Sequence, residues 1–296
     1  MTGAPTIHPP PPSPAPPSAP LDEPRSYAGR RYVYVKFSPR ARGLSVGVNL
    51  NPDKACNFDC VYCDVDRSHC PAPARVDLAL LAQELRQTLA AVHEGGYEPQ
   101  WNARRLPPEL RQLRMVAISG EGEPTLCPQF LEAVETIVHI RARAGFPFFK
   151  IALLTNGSRL HLPEVRAGLD YLTREDEIWV KLDAGTAACF SRWNRPEQCR
   201  IEQVTANLIA VGRQRPVIIQ SLFPLWQNEP PAAHEIEAYA GRLQELRDRG
   251  TQISLVQIYS VSRKPARPGA AHLPLRHLSH IARTVRQATG LRVEVF

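Results

Sequence analysis

Seven cysteines occur in the 296 residues, and three of them form the run Cys56-x3-Cys60-x2-Cys63. In a reducing compartment, where disulfides are disfavoured, thiols this close together point to a metal or an iron–sulfur cluster. Zinc asks for four ligands, commonly two separated Cys/His pairs, and here the fourth would be Cys70 or His69. A cubane cluster has four irons, so three thiolates leave one iron open to an exogenous ligand, an arrangement for chemistry and not for scaffolding. The spacing alone leaves three readings standing: an open cluster, a zinc site, and unligated cysteines.

Further polar groups follow apolar runs downstream. In SGEGEPTL, Ser119 to Leu126, Glu123 is acceptor-only when ionised and suits a ligand's ammonium, with Gly122 and Pro124 shaping the turn that aims it. A charge at a helix N-terminus is the plainer role for the same residue. Thr155-Asn156-Gly157 sets a donor and acceptors beside a residue that lets backbone approach closely, or else makes an ordinary turn. Lys181 and Asp183 stand two apart in an extended segment, hence on one side of it, where they pair with each other or bind ligand and substrate. Gln220 and Gln257 near the ends of later apolar runs are candidates for the substrate side. Cys70 and Cys127 follow the two motifs closely enough to stand near the site with a catalytic or extra-cluster role, or, like Cys189 and Cys199, are ordinary free cysteines.

The elements that must position these groups alternate strand and helix, the sign of a mostly parallel sheet wrapped by helices. Strands are expected at Tyr32 to Phe37, Leu44 to Leu50, Met115 to Ser119, Ile151 to Thr155, Glu177 to Leu182, Val217 to Leu222 and Ile253 to Tyr259, with a last one at Leu291 to Phe296. Asp77 caps a helix running to about Val92, and helices are expected near Gln129 to Arg143, Leu162 to Leu172, Ile201 to Arg213, Ala232 to Arg249 and Leu275 to Ala288. Gly95 to Pro108 reads as an inserted loop. About six βα units exceed a small open sandwich and fall short of a closed eight-unit barrel, so the expected fold is an incomplete (βα)6 barrel. Chemistry in such folds sits at the C-terminal ends of the strands, where the polar groups above fall. Residues 1–26, with ten prolines in the first 24, are expected to be an extended or disordered tail. The core barrel is expected over 27–260, and a basic helix and last strand packed on it over 261–296.

With these motifs in order, the chain resembles the radical S-adenosylmethionine (SAM) superfamily, whose cluster motif is C-x3-C-x-aromatic-C, here CNFDCVYC with Tyr62 in the aromatic position. Glu123 and its neighbours resemble the Gly-Glu-Pro segment that receives the methionine amino group. Thr155-Asn156-Gly157, Lys181-Leu182-Asp183-Ala184 and Asn194-Arg195-Pro196 look like the subgroup of wyosine-forming tRNA synthases and their relatives. The resemblance spans about Tyr32 to Tyr259. It implies a 4Fe-4S cluster on Cys56, Cys60 and Cys63, SAM as cofactor, and contacts to SAM from Tyr62, Gly122, Glu123, Pro124, Thr155, Asn156 and Gly157. It also implies catalytic candidates in Lys181 and Asp183, and an external one-electron reductant of flavodoxin or ferredoxin type. The wyosine-forming enzymes carry three cysteines ahead of this motif for a second cluster, and this sequence has none before Cys56.

Composition narrows the remaining classes. No run approaches roughly 18 consecutive apolar residues, and the start lacks the pattern of a secretory signal, so the expectation is a cytoplasmic chain, monomeric and apart from membranes. Lys and Arg number 36 against 29 acidic residues, a net charge of +7, with the excess concentrated after Gly250. That end fits RNA or another acidic partner, or is a solvated Arg-rich helix face. The leading substrate class is a nucleic-acid base, and a peptide or small metabolite is the runner-up. A non-catalytic electron carrier accounts for the cysteines but leaves Glu123 and Asn156 without a task. A zinc-stabilised RNA-binding module lacks its aromatic platform.

Overall fold

The computed structural model describes residues 28–72, 75–95, 107–143 and 145–296. The expected tail over 1–26 lies outside these residues, as does the expected loop over Gly95 to Pro108 except at its ends.

One sheet of eight strands organises the chain. Its order is β1 (Val33–Ser38), β2 (Gly43–Val48), β3 (Leu113–Ile118), β4 (Lys150–Thr155), β5 (Glu177–Lys181), β6 (Val217–Leu222), β8 (Ile253–Tyr259) and β10 (Val293–Val295). Only β1 runs antiparallel, hairpin-paired with β2, and every other neighbour pair is parallel. The two-residue strands β7 (Leu225–Trp226) and β9 (Ala270–Ala271) pair apart from this sheet. The helices are α1 (Leu78–His93), α2 (Phe130–Arg143), α3 (Pro163–Asp170), α4 (Ala187–Asn194), α5 (Ile201–Gly212), α6 (Ala233–Asp248) and α7 (Leu275–Thr289). Six βα units therefore run from β2–α1 to β8–α7, and the sheet curls into a half-barrel. Its two edges approach where Arg42, in the β1–β2 turn, meets Glu294 of β10 at 3.4 Å. The segment 261–296 continues the same series, since β10 adds to β8 and α7 packs on both.

Period-two alternation divides each strand between two cores. Outward-facing Val46, Val116, Ile118, Ile151, Leu153, Ile178, Val180 and Ile219 join the large core under the helices. The inward residues Met115, Ala117, Ala152, Trp179 and Ile218 form a small apolar plug inside the barrel. Toward the C-terminal ends the inward face turns polar: Trp179 is followed by Lys181, Ile218 by Gln220, and Leu255 by Gln257. The same strands thus build both an apolar floor and a polar upper chamber.

Local signals set several boundaries. Asp77 accepts from the Leu80 N–H at 3.0 Å and starts α1, and Gly290 takes φ 66° to end α7. Glu84 of α1 is buried and accepts from the backbone N–H groups of Arg31, Tyr32 and Val33, pinning the entry to β1. The short helix α4 has no counterpart among the sequence expectations. Its eight residues are too few for a legible period, and it is fixed by the Thr186 cap and by buried Phe190 and Trp193.

Candidate functional site

The loop after β2 carries Cys56, Cys60 and Cys63, and all three line a cavity at the C-terminal ends of the strands. The loop is strung along the end of α4: Val61 N donates to Trp193 O, Asp59 N to Arg195 O, and Glu197 N to Asn57 O. Arg195 takes a left-handed φ of 43° to make that turn. From the other side, Ala266 N donates to Cys63 O, Arg263 pairs with Asp64 at 2.5 Å, and Arg267 pairs with Asp59 at 2.6 Å. The chain after β8 therefore latches over the cysteine loop.

Each thiol has one protein donor. Phe58 N lies 3.5 Å from Cys56 Sγ, Asn194 Nδ2 3.6 Å from Cys60 Sγ, and Arg67 Nη1 3.1 Å from Cys63 Sγ. Burial pushes the Cys56 thiol up to about 12, helped by the Glu123 charge, and the Cys60 thiol up to about 11. Among the described residues, no three His, Cys, Asp or Glu side chains converge on one ion position. A cubane takes one thiolate per iron and wants the sulfurs spread. Three half-buried thiols around one cavity wall, each with a hydrogen-bond donor, suit that group. Cys70 is exposed, Cys127 and Cys189 are buried elsewhere, and with Cys199 they stand outside the cavity lining.

The Gly-Glu-Pro turn packs against the cysteine loop. A Cβ on Gly122 would lie 2.0 Å from Ala55 O, so only glycine permits the hydrogen bond from Glu123 N to Ala55 O at 2.9 Å. Glu123 is 3% exposed, and its Oε1 accepts from Thr125 N, Thr125 Oγ1 and Thr155 Oγ1, while Oε2 accepts from Asn156 N at 2.7 Å. Burial pushes this carboxyl up, and those hydrogen bonds oppose the push. Both plain and ligand-facing features meet in one residue: it caps the short turn Pro124–Leu126 and also lines the cavity.

Thr155, Asn156 and Gly157 end β4 beside it. Gly157 adopts φ 77°, and Asn207 Nδ2 of α5 holds its carbonyl at 2.8 Å. Asn156 Nδ2 donates to Asn57 Oδ1 at 2.9 Å, and Asn156 Oδ1 accepts from Ser158 N. Asn57 also reaches Ser158, so this loop is sewn to the cysteine loop.

Lys181 and Asp183 do stand side by side, with Lys181 Nζ 3.6 Å from Asp183 Oδ2. Asp183 is 1% exposed and further accepts from the Tyr62 hydroxyl, from Asn194 Nδ2 at 2.8 Å and from Leu222 N at 2.7 Å. Burial pushes the Tyr62 hydroxyl well up, and the Asp183 charge adds to the push. Burial acts against the charged Lys181, yet Asp183 holds its pKa above the ordinary value. Lys181 Nζ lies 4.7 Å over the Tyr62 ring and lines the cavity. Gln220 lines it too and donates to Gln257 at 3.0 Å. Sequence reasoning singled out neither Arg67 nor Arg40, and gave Asn194 no role of its own. Arg67 also donates to Glu121 O at 2.9 Å and Lys54 O at 3.1 Å, bracing both loops. Its place four residues after Cys63 was a usable signal; Arg40, in the hairpin tip, offered none.

Comparison with known proteins places this architecture. No family model matches the sequence. A UPF0026 protein of Helicobacter pylori (strain J99) is 25% identical over 186 residues, 60% of this chain and 52% of the relative. The chain thus spans about half the length of that curated relative. Streptococcus suis SuiB bound to S-adenosylmethionine superposes with a TM-score of 0.58 at 11% identity, covering 87% of this chain and 52% of SuiB. TYW1 with a lysine-pyruvate adduct bound superposes with a TM-score of 0.54 at 15% identity, covering 87% of this chain and 84% of TYW1. Both are radical SAM enzymes, and the half-barrel that carries the three thiols of this chain has the radical SAM fold.

Proposed function

We propose that this protein is a radical SAM enzyme. The observation that carries the reading is the placement of Cys56, Cys60 and Cys63 on one wall of a strand-end cavity, facing the Gly-Glu-Pro and Thr-Asn-Gly turns. A 4Fe-4S cluster bound there would supply the electron that splits SAM into methionine and a 5′-deoxyadenosyl radical able to abstract hydrogen from substrate.

The chain's own residues then have definable tasks. Cys56, Cys60 and Cys63 hold metal, and the donors Phe58 N, Asn194 Nδ2 and Arg67 Nη1 spread the charge on their sulfurs. Gly122 and Gly157 keep two turns close to the cysteine loop. Glu123 orders those turns through Oε1, and its Oε2, with a single donor, has a lone pair left for the ligand's ammonium. Asn156 fixes the cysteine loop and presents its remaining amide hydrogen. Thr155 and Pro124 set the position of Glu123. Tyr62 backs the cluster loop through Asp183, while Lys181 sets a cation at the chamber wall. The apolar plug lies below the chamber, where it limits the water near a reactive radical.

The leading substrate class is a nucleic-acid base, supported by the resemblance to wyosine-forming enzymes and by the exposed Arg276 and Arg283 of α7. Much of the basic C-terminal charge is already used: Arg263 and Arg267 pair within the loop latch, Arg292 pairs with Glu294, and Arg286 donates to Val293 O. A small metabolite is the second reading, favoured by the cationic lining of the chamber. A flavodoxin- or ferredoxin-type reductant, a cytoplasmic location and a monomeric state complete the proposal. Among the described residues no helix is long and apolar enough to cross a membrane.

Anaerobic reconstitution tests the reading. The wild type should take up four irons and four sulfides and form 5′-deoxyadenosine from SAM under reduction, whereas each of C56A, C60A and C63A should fail to hold the cluster. A full iron complement in any one variant, or zinc in place of iron, sinks the assignment.

A further inference from the structure

Arg40 sits in the β1–β2 turn, yet its side chain reaches the same chamber as the three thiols. Its guanidinium lies 4.4 Å over the Tyr259 ring and 6.0 Å over the Trp179 ring. Trp179 is two residues before Lys181 on β5, one inward-facing side-chain layer deeper, so Arg40 approaches from below the rim. The ring covers a face of the guanidinium, and its five N–H donors lie around the edge in the plane. Its Nη1 is fully buried and has no hydrogen-bond partner. Among the described residues no carboxylate pairs with Arg40.

A buried guanidinium nitrogen without an acceptor is costly, and native interiors rarely leave one so. Among the described residues, the carboxylates that line the chamber are engaged with other groups than Arg40. Asp64 is taken by Arg263, Glu121 accepts from Asn49 Nδ2 at 2.9 Å, and Glu123 serves four donors. Counting Asp183, which pairs with Lys181 from outside the lining, four acids meet five cations: Lys36, Arg40, Arg67, Lys181 and Arg263. An oxidised cluster with three thiolates is a formal monoanion and SAM a formal monocation, so the pair leaves this surplus in place.

We infer that this chamber has a site for an oxyanion group of its substrate, carboxylate or phosphate, which Arg40 receives at the barrel's deep end. Arg recognises both groups through paired N–H donors. With the anion held low, the rest of the molecule faces the thiol wall, where hydrogen abstraction would occur. The inference rests on the radical SAM reading for the chemistry, but the anion site itself does not need it.

The test titrates inorganic phosphate and, separately, acetate into the full-length protein at fixed ionic strength, using both the iron-free form and the cluster-loaded form saturated with SAM. Calorimetry and the arginine Nε–Hε resonances report binding. At least one anion should bind the wild type, and Arg40→Met, which keeps the apolar stem over Tyr259, should weaken it tenfold or more. Arg40→Lys should keep part of the affinity, while cluster content and SAM affinity stay unchanged in both variants. Preference for phosphate identifies a phosphorylated substrate, and preference for acetate a carboxylic one. Absence of binding to the wild type, or equal binding to R40M, overturns the inference. Loss of SAM affinity in R40M also overturns it, since the guanidinium would then hold the carboxylate of SAM itself. If the wild type binds the anion through Arg40 but assembles no cluster, the radical SAM reading fails and the anion site stands.

Discussion

Substituting Glu123 by Gln separates a structural carboxylate from one that serves only a ligand. Oε1 has three donors, so the amide oxygen of Gln takes that place and its NH2 is driven to the Oε2 position, facing the Asn156 N–H. Donor then opposes donor, and the buried Asn156 N–H loses its acceptor, costing about 1 to 3 kcal/mol. The other three bonds fall from charge-assisted to neutral strength, roughly 0.5 to 1 kcal/mol each. Gln in turn avoids burying a charge, an offset consistent with the upward push on the Glu123 carboxyl. The net expectation is a loss of about 2 to 4 kcal/mol from the metal-free protein, or roughly 4 to 15 °C in Tm at this size. Denaturant and thermal unfolding of the metal-free chain measure it. Thr155→Val, which removes one donor, should show about 1 kcal/mol of the same loss. If metal-free E123Q unfolds like the wild type and only SAM affinity drops, the argument from four donors is refuted.

Three further outcomes are expected. Arg67→Gln weakens the donor on Cys63 Sγ and removes a positive charge 3.1 Å away, so the cluster's midpoint potential should fall, about 59 mV for each 1.4 kcal/mol of lost preference for the reduced form. A potential that does not move in a redox titration followed by electron paramagnetic resonance would contradict it. Burial opposes ionisation of Asp176, but Arg141 and the N–H groups of Ile151 and Thr173 hold its carboxyl below the usual range. Its stabilising effect is therefore complete above about pH 4 and is lost as pH falls further through the folded-state value. Breaking the buried pair with D176N should cost about 3 to 5 kcal/mol at neutral pH and flatten the acid limb of the stability profile. Should the substrate be RNA, replacing Arg276 and Arg283 with Gln should flatten the log–log salt slope of binding by about 0.7 to 0.9 per lost phosphate contact, and an unaltered slope in filter binding marks them as a solvated face.

Local chemistry written along the chain was legible without coordinates. The strand sites follow from period-two apolar runs, the start of α1 from Asp77, and the cluster reading from three cysteines within eight residues, because each depends on neighbours in sequence. The change from apolar to polar along β5, β6 and β8 likewise foretold at which end of the barrel the polar groups would gather. What the sequence could not decide is where long side chains arrive once the sheet curls. Tyr62 meets Asp183 across 121 residues, and Asn194 joins Cys60 across 134. Arg40 leaves a hairpin at one end of the strands and comes to rest over Tyr259 in the chamber. Glu123 appeared free to meet a ligand, yet Thr155 and Asn156, more than 30 residues on, take up two of its lone pairs beside the two that Thr125 uses. Such contacts depend on strand order and curvature, which bring remote β-strand ends within hydrogen-bond reach, and no local period or propensity encodes that distance.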